Sequence, residues 1–140
     1  MAGIPKFDRG EVLLSAARQF ADRGYEGASI SHLVDATGLL RGSLYGAFGS
    51  KAELFRLAFG EAASTPERDS DLVIDLTVVA LRERAVHDGV VCASARSVLL
   101  SLDATGVPAS EQIYRRLLAR AGVALEKTTD SLRSKEEDNG

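Results

Sequence analysis

The segment GLLRGSLYGAFGSKAE, residues 38–53, carries the side chains with the clearest chemistry. The guanidinium of Arg41 can donate two hydrogen bonds to an acceptor pair such as guanine O6 and N7, and the ammonium of Lys51 suits a phosphate oxygen. The hydroxyls of Ser43 and Tyr45 can bond either kind of acceptor. A plainer interpretation stays open for each: Arg41 and Lys51 as solvated charges, and Tyr45 as a core residue with an exposed hydroxyl.

Glycines interrupt this segment although its apolar spacing predicts a helix. Each internal glycine should weaken a helix by about 1 kcal/mol relative to alanine. At 100° per residue, Leu44 and Phe48 point to one side, while Gly42 and Gly46 lie on the opposite side. The sequence therefore predicts a helix whose outer face is almost bare of side chains, with Gly49 as the residue that ends it.

The elements that must position this segment are helical. Apolar periodicity and capping residues predict four helices in the N-terminal part: residues 9–23, a short helix capped by Ser29, a third from about Leu40 to Phe48, and a fourth that begins with a Ser50 and Glu53 capping box and fades near Gly60–Pro66. The two short helices meet at Gly38. Two short helices joined at a glycine and braced by a longer helix on each side are typical of a helix-turn-helix.

The second half is also predicted to be helical, so the fold class is all-α. One helix is expected over residues 72–80, running on towards Gly89, and the uniformly apolar run 90–102 predicts a buried helix, although its periodicity leaves a strand open. Ser110 is expected to cap a last helix with an apolar side formed by Ile113, Leu117, Ala121, Leu125 and Leu132. The ending 134–140 lacks an apolar anchor and should be frayed.

Composition narrows the possible functions. Net charge is −3, but residues 1–59 carry a balance of +1 and the remainder −4, so the N-terminal half tolerates anions better. The start MAGIPKFDRG has no signal-peptide core and no run is long enough to span a membrane, which predicts a cytoplasmic protein without a membrane partner. Cys92, the single cysteine, is expected to be a buried apolar residue, and a redox sensor is the alternative.

Catalytic and cofactor chemistry has no support in the sequence. There is no nucleophile with a nearby base, no paired carboxylates in a glycine-flanked site, no phosphate loop and no clustered metal ligands, so neither an enzyme nor a cofactor is expected. His32 is expected to be an exposed helix residue without a role, and a response to pH is the alternative. The charged cluster around Arg82, Glu83, Arg84 and Asp88 is expected to solvate a helix end.

The stretch FADRGYEGASISHLVDATGLLRGSLYGAFGSKAELF resembles the N-terminal DNA-binding domain of the TetR family of bacterial transcription regulators. The resemblance covers about residues 7–60. It implies a three-helix DNA-reading head in a domain spanning 6–66, with the helix-turn-helix at about 29–48. It further implies a fourth, connecting helix, a ligand-sensing and dimerisation domain at 67–133, and a homodimer on a palindromic operator in double-stranded DNA.

Carried over by position, the resemblance assigns base-edge contacts to Arg41, Gly42 and Ser43 and phosphate contacts to Tyr45 and Lys51. Ser29 and Thr37 lie where backbone phosphates are often held, and Gly46 completes the face expected to approach the groove. Two departures weaken the match. Leu40 stands where the family usually has a capping Ser, Thr or Asn, and Val34 stands where it usually has alanine, so weaker DNA affinity is expected.

The resemblance beyond residue 67 is weak, and the chain ends before the family's usual last two helices. A dimer would have to form through the 90–102 or the 113–132 helix, and an effector pocket should be small or absent. Candidate pocket residues are Thr77, Ser94, Arg96, Ser97 and Tyr114. The sequence favours a DNA-binding regulator, most simply a repressor released by a small molecule. The alternative is a shortened regulator that acts as a protein-interaction module without operator binding of its own.

Overall fold

The computed structural model describes residues 7–124, and these residues are helical throughout their regular structure. The helices are α1 (Arg9–Arg23), α2 (Ile30–Thr37), α3 (Arg41–Phe48), α4 (Lys51–Ser64), α5 (Ser70–Val79), a π-helical segment (Ala80–Arg84), α6 (Gly89–Asp103) and α7 (Ala109–Ala121). The all-α prediction is confirmed for the described part of the chain. The π-helical segment, which directly continues α5, was not predicted.

The ends of the N-terminal helices follow local sequence signals. Ser29 caps α2, and its Oγ accepts from the His32 amide, while Ser50 caps α4 by accepting from the Glu53 amide. The Glu53 part of the predicted capping box is wrong, because its carboxylate accepts a 2.6 Å hydrogen bond from the guanidinium of Arg56. Gly49 ends α3 with a φ of 93°, a backbone conformation that side-chain-bearing residues rarely adopt.

The core is one continuous cluster in which α1 is central. Helix α1 packs against α4, α2 and α5. Phe20 of α1 meets Phe55 of α4 edge to face with ring centroids 5.2 Å apart, and both rings are fully buried. Leu33 of α2 and Leu44 of α3 are also fully buried, which fixes both short helices on the α1–α4 pair. Each such side chain contributes about 1.5–3 kcal/mol through burial.

Helix α6 corrects two expectations. The run is a helix and not a strand, but only Val91, Ala95 and Val98 are buried, so it is not buried all round. Cys92 is exposed, contrary to the prediction. Apolar residues occur all round this helix, but its neighbours, the π-helical segment and α4, α5 and α7, leave Val90 and Leu100 exposed, so the composition of the run overestimated its burial.

Helix α7 begins differently from the prediction. Pro108 occupies the N-cap position and Ser110 lies in the first turn, because the Asp103 carboxylate already accepts from the Ala109 amide at 2.7 Å. The expected apolar side is also only partly packed: Ile113 is half-buried, while Leu117 and Ala121 are exposed. Leu125, Leu132 and the tail 134–140 lie outside the described residues.

The side of α7 that faces the rest of the molecule is partly ionic. Asp75 of α5 is buried and accepts two hydrogen bonds from Arg116, at 2.9 and 2.8 Å. Arg120 donates a third to the same carboxylate at 2.7 Å and lies 3.7 Å from Asp22 of α1. Hydrogen bonds between charged groups therefore attach α7 to α5, with α1 close by.

Candidate nucleic-acid interface

Helices α2 and α3 and the turn between them form the candidate interface. Gly38 ends α2 in the left-handed conformation, with a φ of 73°, and Leu40 occupies the N-cap of α3. Leu40 makes no side-chain cap hydrogen bond and is 76% exposed. Helix α3 therefore starts without the stabilisation of about 1 kcal/mol that a polar cap would supply, as its sequence predicts.

The outer face of α3 is open. Leu44 and Phe48 are buried on the inner side, while Gly42 and Gly46 are exposed. A Cβ added at either glycine would have no atom within 4 Å beyond its own helix turn. Packing inside the protein therefore does not require these two glycines, and neither has the positive φ that would require them for backbone reasons.

The polar candidates lie on α3 itself and at the start of α4. Arg41 is exposed at the first position of α3, and Ser43 and Tyr45 are half-buried further along the helix. Lys51 is half-buried at the first position of α4. The four side chains thus lie on two consecutive helices that are separated by Gly49 and Ser50 alone.

Tyr25, which the sequence did not single out, holds the ammonium of Lys51. The Lys51 Nζ lies 4.8 Å from the centroid of the Tyr25 ring, a cation–π distance. The ring itself is fixed, stacked on Phe20 at 5.9 Å and meeting the edge of Phe55 at 5.6 Å. Burial raises the pKa of the Tyr25 hydroxyl above its ordinary value, partly offset by Arg84, so the ring is neutral at physiological pH. An aromatic residue between two glycines, in the stretch RGYEG, was the feature of the sequence from which a structural role for Tyr25 could have been predicted.

Ser29 and Thr37, the two residues at the ends of α2 that are predicted to contact phosphate, differ in the hydrogen bonds that their hydroxyls make within the protein. The Ser29 Oγ accepts from the His32 amide at 3.1 Å, which leaves its own proton for an outside acceptor. Thr37 donates its proton to the Leu33 carbonyl at 2.7 Å and accepts from the Leu39 amide at 3.3 Å. A phosphate contact from Thr37 would therefore have to replace an existing hydrogen bond.

His32 has a structural role that the sequence did not predict. Its Nδ1 accepts from the Ser29 amide at 3.1 Å and completes a capping box at the start of α2. This bond needs an unprotonated Nδ1, so the neutral ring carries its proton on Nε2. The sequence missed this role because the third helical position of a capping box is usually Glu or Gln.

The charged cluster after α5 was also misjudged, because two of its acids bind within the protein. Glu83 accepts from the backbone amides of Tyr25 and Glu26 at 3.0 and 3.1 Å. Asp88 is buried, caps α6 through the Val90 and Val91 amides, and accepts from Arg56 of α4 at 2.6 Å. These contacts connect the π-helical segment to the turn between α1 and α2, and the start of α6 to α4.

The pKa of Asp88 reflects two opposing causes. Burial raises it, but the hydrogen bonds from Arg56 and from the α6 amides outweigh burial and hold it below the ordinary value of an aspartate. The carboxylate is therefore ionised at neutral pH, as its contacts require.

A cavity of about 740 Å³ lies among α4, α5, α6 and α7, and it brings together two of the five predicted pocket residues, Ser94 and Ser97. Thr77 is buried elsewhere and donates to the Val73 carbonyl, and Arg96 and Tyr114 are exposed and do not line the cavity. Residues that the sequence did not single out complete the lining, among them Glu67, Val73, Val98, Ser101, Leu102 and Gln112.

Residues 7–124 contain neither a membrane-spanning helix nor a clustered metal site. No helix in this part of the chain is both long and apolar enough to cross a bilayer. No group of three or more His, Cys, Asp or Glu side chains within the same range could hold a metal ion.

Residues 12–58 match the model of the family described as bacterial regulatory proteins, tetR family. The chain is 44% identical over 68 residues to the HTH-type transcriptional repressor AcnR of Corynebacterium efficiens, which covers 48% of this chain and 36% of AcnR. It is 43% identical over 54 residues to the repressor KstR2 of Mycobacterium tuberculosis, covering 39% and 27%. It is 40% identical over 47 residues to the HTH-type transcriptional activator FasR of Mycolicibacterium smegmatis, covering 34% and 22%. The matches thus span about a third or less of these relatives.

A capped helix, a glycine turn and a second helix with an open outer face define a helix-turn-helix protein. The family match coincides with these elements and with the two helices that brace them, α1 and α4. Residues 12–58 therefore match the N-terminal part of the tetR family of bacterial regulatory proteins, in agreement with the resemblance found in the sequence.

Proposed function

We propose that the chain is a sequence-specific, non-enzymatic transcription regulator that binds double-stranded DNA in the bacterial cytoplasm. The observation that carries the proposal is the open outer face of α3. Gly42 and Gly46 leave space beyond the backbone that nothing inside the protein fills, while Arg41 and Lys51 flank it with positive charge. A helix of this kind can approach the floor of the major groove more closely than one that carries side chains on every face.

The side chains around α3 divide the work between bases and phosphates. Arg41 at the start of the helix donates to base edges, with guanine O6 and N7 as the best acceptor pair, and Ser43 reads a neighbouring base. Tyr45, Lys51 and Ser29 bind phosphates and so fix the register of the helix in the groove. Thr37 contributes least, since its hydroxyl proton is already donated to Leu33.

Repression is the favoured sign of regulation. AcnR and KstR2 are transcriptional repressors, and their matched segments are 44% and 43% identical to this chain, against 40% for the activator FasR. On this proposal the bound regulator prevents transcription until a small molecule releases it.

The cavity among α4 to α7 is the candidate effector site. Its volume of about 740 Å³ falls in the range of small-molecule pockets. Apolar groups such as Val73, Val98 and Leu102 line it beside the hydroxyls of Ser94 and Ser97 and the Gln112 amide. This lining suits an effector that is mostly apolar and carries a few hydrogen-bonding groups.

A homodimer is proposed from the outer faces of α6 and α7. Val90 and Leu100 of α6 are 57% and 61% exposed, and Tyr114 and Leu117 of α7 are 54% and 46% exposed. Large apolar side chains in this number are better covered by a second copy than left in water. A two-fold dimer would place its two α3 helices on half-sites about 34 Å apart, which requires a palindromic operator.

A gel-shift series with the purified chain and the DNA upstream of its own gene tests the proposal. Arg41→Ala should lower discrimination between operator and unrelated DNA, because it removes a base contact. Lys51→Ala should weaken binding to all sequences and flatten its salt dependence, because it removes a phosphate contact. Arg68→Ala, an exposed residue of the turn between α4 and α5, is the control for the loss of one positive charge.

The absence of a specific shift up to micromolar protein would contradict operator binding and favour the interaction-module alternative. Light scattering on the same sample determines the oligomeric state. A monomer at tens of micromolar would contradict the dimer.

A further inference from the structure

The turn between α1 and α2 is held by a carboxylate from outside the helix-turn-helix. Glu83 lies in the π-helical segment, well beyond residues 12–58, which match the family. Its Oε2 accepts from the Tyr25 amide at 3.0 Å and its Oε1 accepts from the Glu26 amide at 3.1 Å. Hydrogen bonds to an ionised acceptor are about twice as strong as those between neutral groups. We refer to this pair of bonds as the Glu83 clasp.

The turn is shaped to receive this carboxylate. Gly24 has a φ of 80°, and a Cβ built on it would lie 2.8 Å from Glu83 Oε2. A side chain at Gly24 would therefore strain the backbone and would require the Glu83 carboxylate to shift from its position beside the turn.

The π-helical turn supplies the geometry on the other side. The amide of Ala85 bonds the carbonyl of Ala80 at 2.7 Å, a spacing of five residues, so the wider turn changes the directions in which Glu83 and Arg84 leave the helix. Glu83 reaches the Tyr25 backbone, and the Arg84 Cζ lies 4.4 Å from the centroid of the Tyr25 ring. Both side chains thus converge on one residue of the head.

Tyr25 connects the Glu83 clasp to the proposed DNA surface. Its backbone is bound by Glu83, and its ring lies 4.8 Å from the ammonium of Lys51. Tyr25 thus links the Glu83 carboxylate, which binds its backbone amide, to the Lys51 ammonium, which lies over its ring, while Phe20 and Phe55 pack against the same ring.

We propose that Glu83 is a positioning residue for DNA binding. It fixes the α1–α2 turn and, through Tyr25, holds Lys51 where that side chain meets a phosphate. The inference rests on the proposed function for its DNA part, but the clasp itself can be tested without DNA.

The sign of the effect separates positioning from simple electrostatics. Glu83 is negatively charged, so its removal should tighten binding to a polyanion if only charge matters. Loss of positioning should instead weaken binding. Glu26→Gln is the matched control, since it removes one negative charge from the turn that Glu83 binds and its own side chain is exposed. Glu83→Asp keeps the charge but shortens the reach to the two amides.

The DNA experiment measures Kd by fluorescence anisotropy over a salt series with the full chain. Glu83→Gln and Glu83→Asp should each bind roughly five- to tenfold more weakly, with the slope of log K against log salt smaller by about 0.9, the value for one lost phosphate contact. Glu26→Gln should bind as tightly as the wild type or more tightly. Glu83→Gln should have little further effect in a Lys51→Ala background, because both changes remove the same contact.

Two outcomes would overturn the inference: Glu83→Gln binding as tightly as Glu26→Gln, or the effects of Glu83→Gln and Lys51→Ala multiplying as for independent sites. The DNA-free arm follows amide hydrogen exchange of Tyr25 and Glu26 by NMR, where Glu83→Gln should accelerate exchange at both amides while distant core amides stay protected. Unchanged exchange at both amides would refute the clasp whatever the DNA result. Failure of the wild type to bind any DNA specifically would refute the proposed function and leave the clasp to the exchange measurement.

Discussion

Replacement of Gly46 should make the protein more stable and a poorer DNA binder. Gly46 lies inside α3 with an ordinary helical φ, and an added Cβ would have no neighbour within 4 Å. Gly46→Ala therefore gains helix propensity without a steric cost, about 0.8–1 kcal/mol. The expected rise in Tm is about 3–6 °C for a chain of this size.

The same open space is what the proposed complex would fill with DNA. A leucine at position 46 projects four carbon atoms from the face that approaches the groove, and an overfilled contact costs about 1–3 kcal/mol. Operator affinity of Gly46→Leu should therefore fall roughly five- to 150-fold. Gly46→Ala should show a smaller loss in the same direction.

Gly60→Ala is the matched control for these measurements. Gly60 lies in the interior of α4, where an added Cβ also meets nothing within 4 Å, so it should gain similar stability. In an assay without effector it should leave operator binding unchanged. Thermal unfolding and anisotropy titrations on the three variants compare both quantities, and wild-type affinity in Gly46→Leu would refute the close approach of α3 to the groove.

Three further results follow from contacts in the C-terminal half. Because the pKa of Asp88 is held below its ordinary value, its pairing with Arg56 stabilises the fold above the unfolded-state pKa near 4, and this stabilisation is lost as pH falls through the folded-state pKa. Urea unfolding at several pH values should therefore give a stability difference between the wild type and Asp88→Asn that is full at pH 7 and shrinks below about pH 4. A difference that stays constant with pH would contradict this. Asp75→Ala leaves Arg116 without its buried partner and should lower the free energy of unfolding by about 2–3 kcal/mol. A loss below about 0.5 kcal/mol, roughly the scatter of surface substitutions, would show that the Asp75–Arg116 pair contributes little to stability. Cys92 should react with an aromatic disulfide reagent in the native protein about as fast as in urea, and protection in the native state would contradict its exposure.

The helix-turn-helix could be predicted because its signals are local. Ser29 and Ser50 bond amides three residues away, and Gly38 and Gly49 end helices by their own backbone conformation. Such signals are complete within one turn of sequence. The predicted positions of α1 to α4 consequently needed changes of only a residue or so in the head.

The contacts that hold the second half could not be predicted in the same way. The Glu83 clasp joins residues 58 positions apart, and the Asp75–Arg116 and Arg56–Asp88 pairs join residues 41 and 32 positions apart. Charge patterns along the chain do not indicate such partners, so Glu83 and Asp88 were predicted to be solvated and Asp75 was not singled out. The packing of the helices determines which charged residues become partners. It also places Cys92 on the uncovered side of α6.

Selection of binding sites from a randomised duplex library tests the central claim most directly. The wild-type chain should enrich a two-fold symmetric sequence whose half-sites are about one helical turn apart, and Arg41→Ala should lose the preference at one position in each half-site. Wild-type pools that stay random after repeated rounds at physiological salt would contradict the claim that α3 of this chain reads DNA sequence.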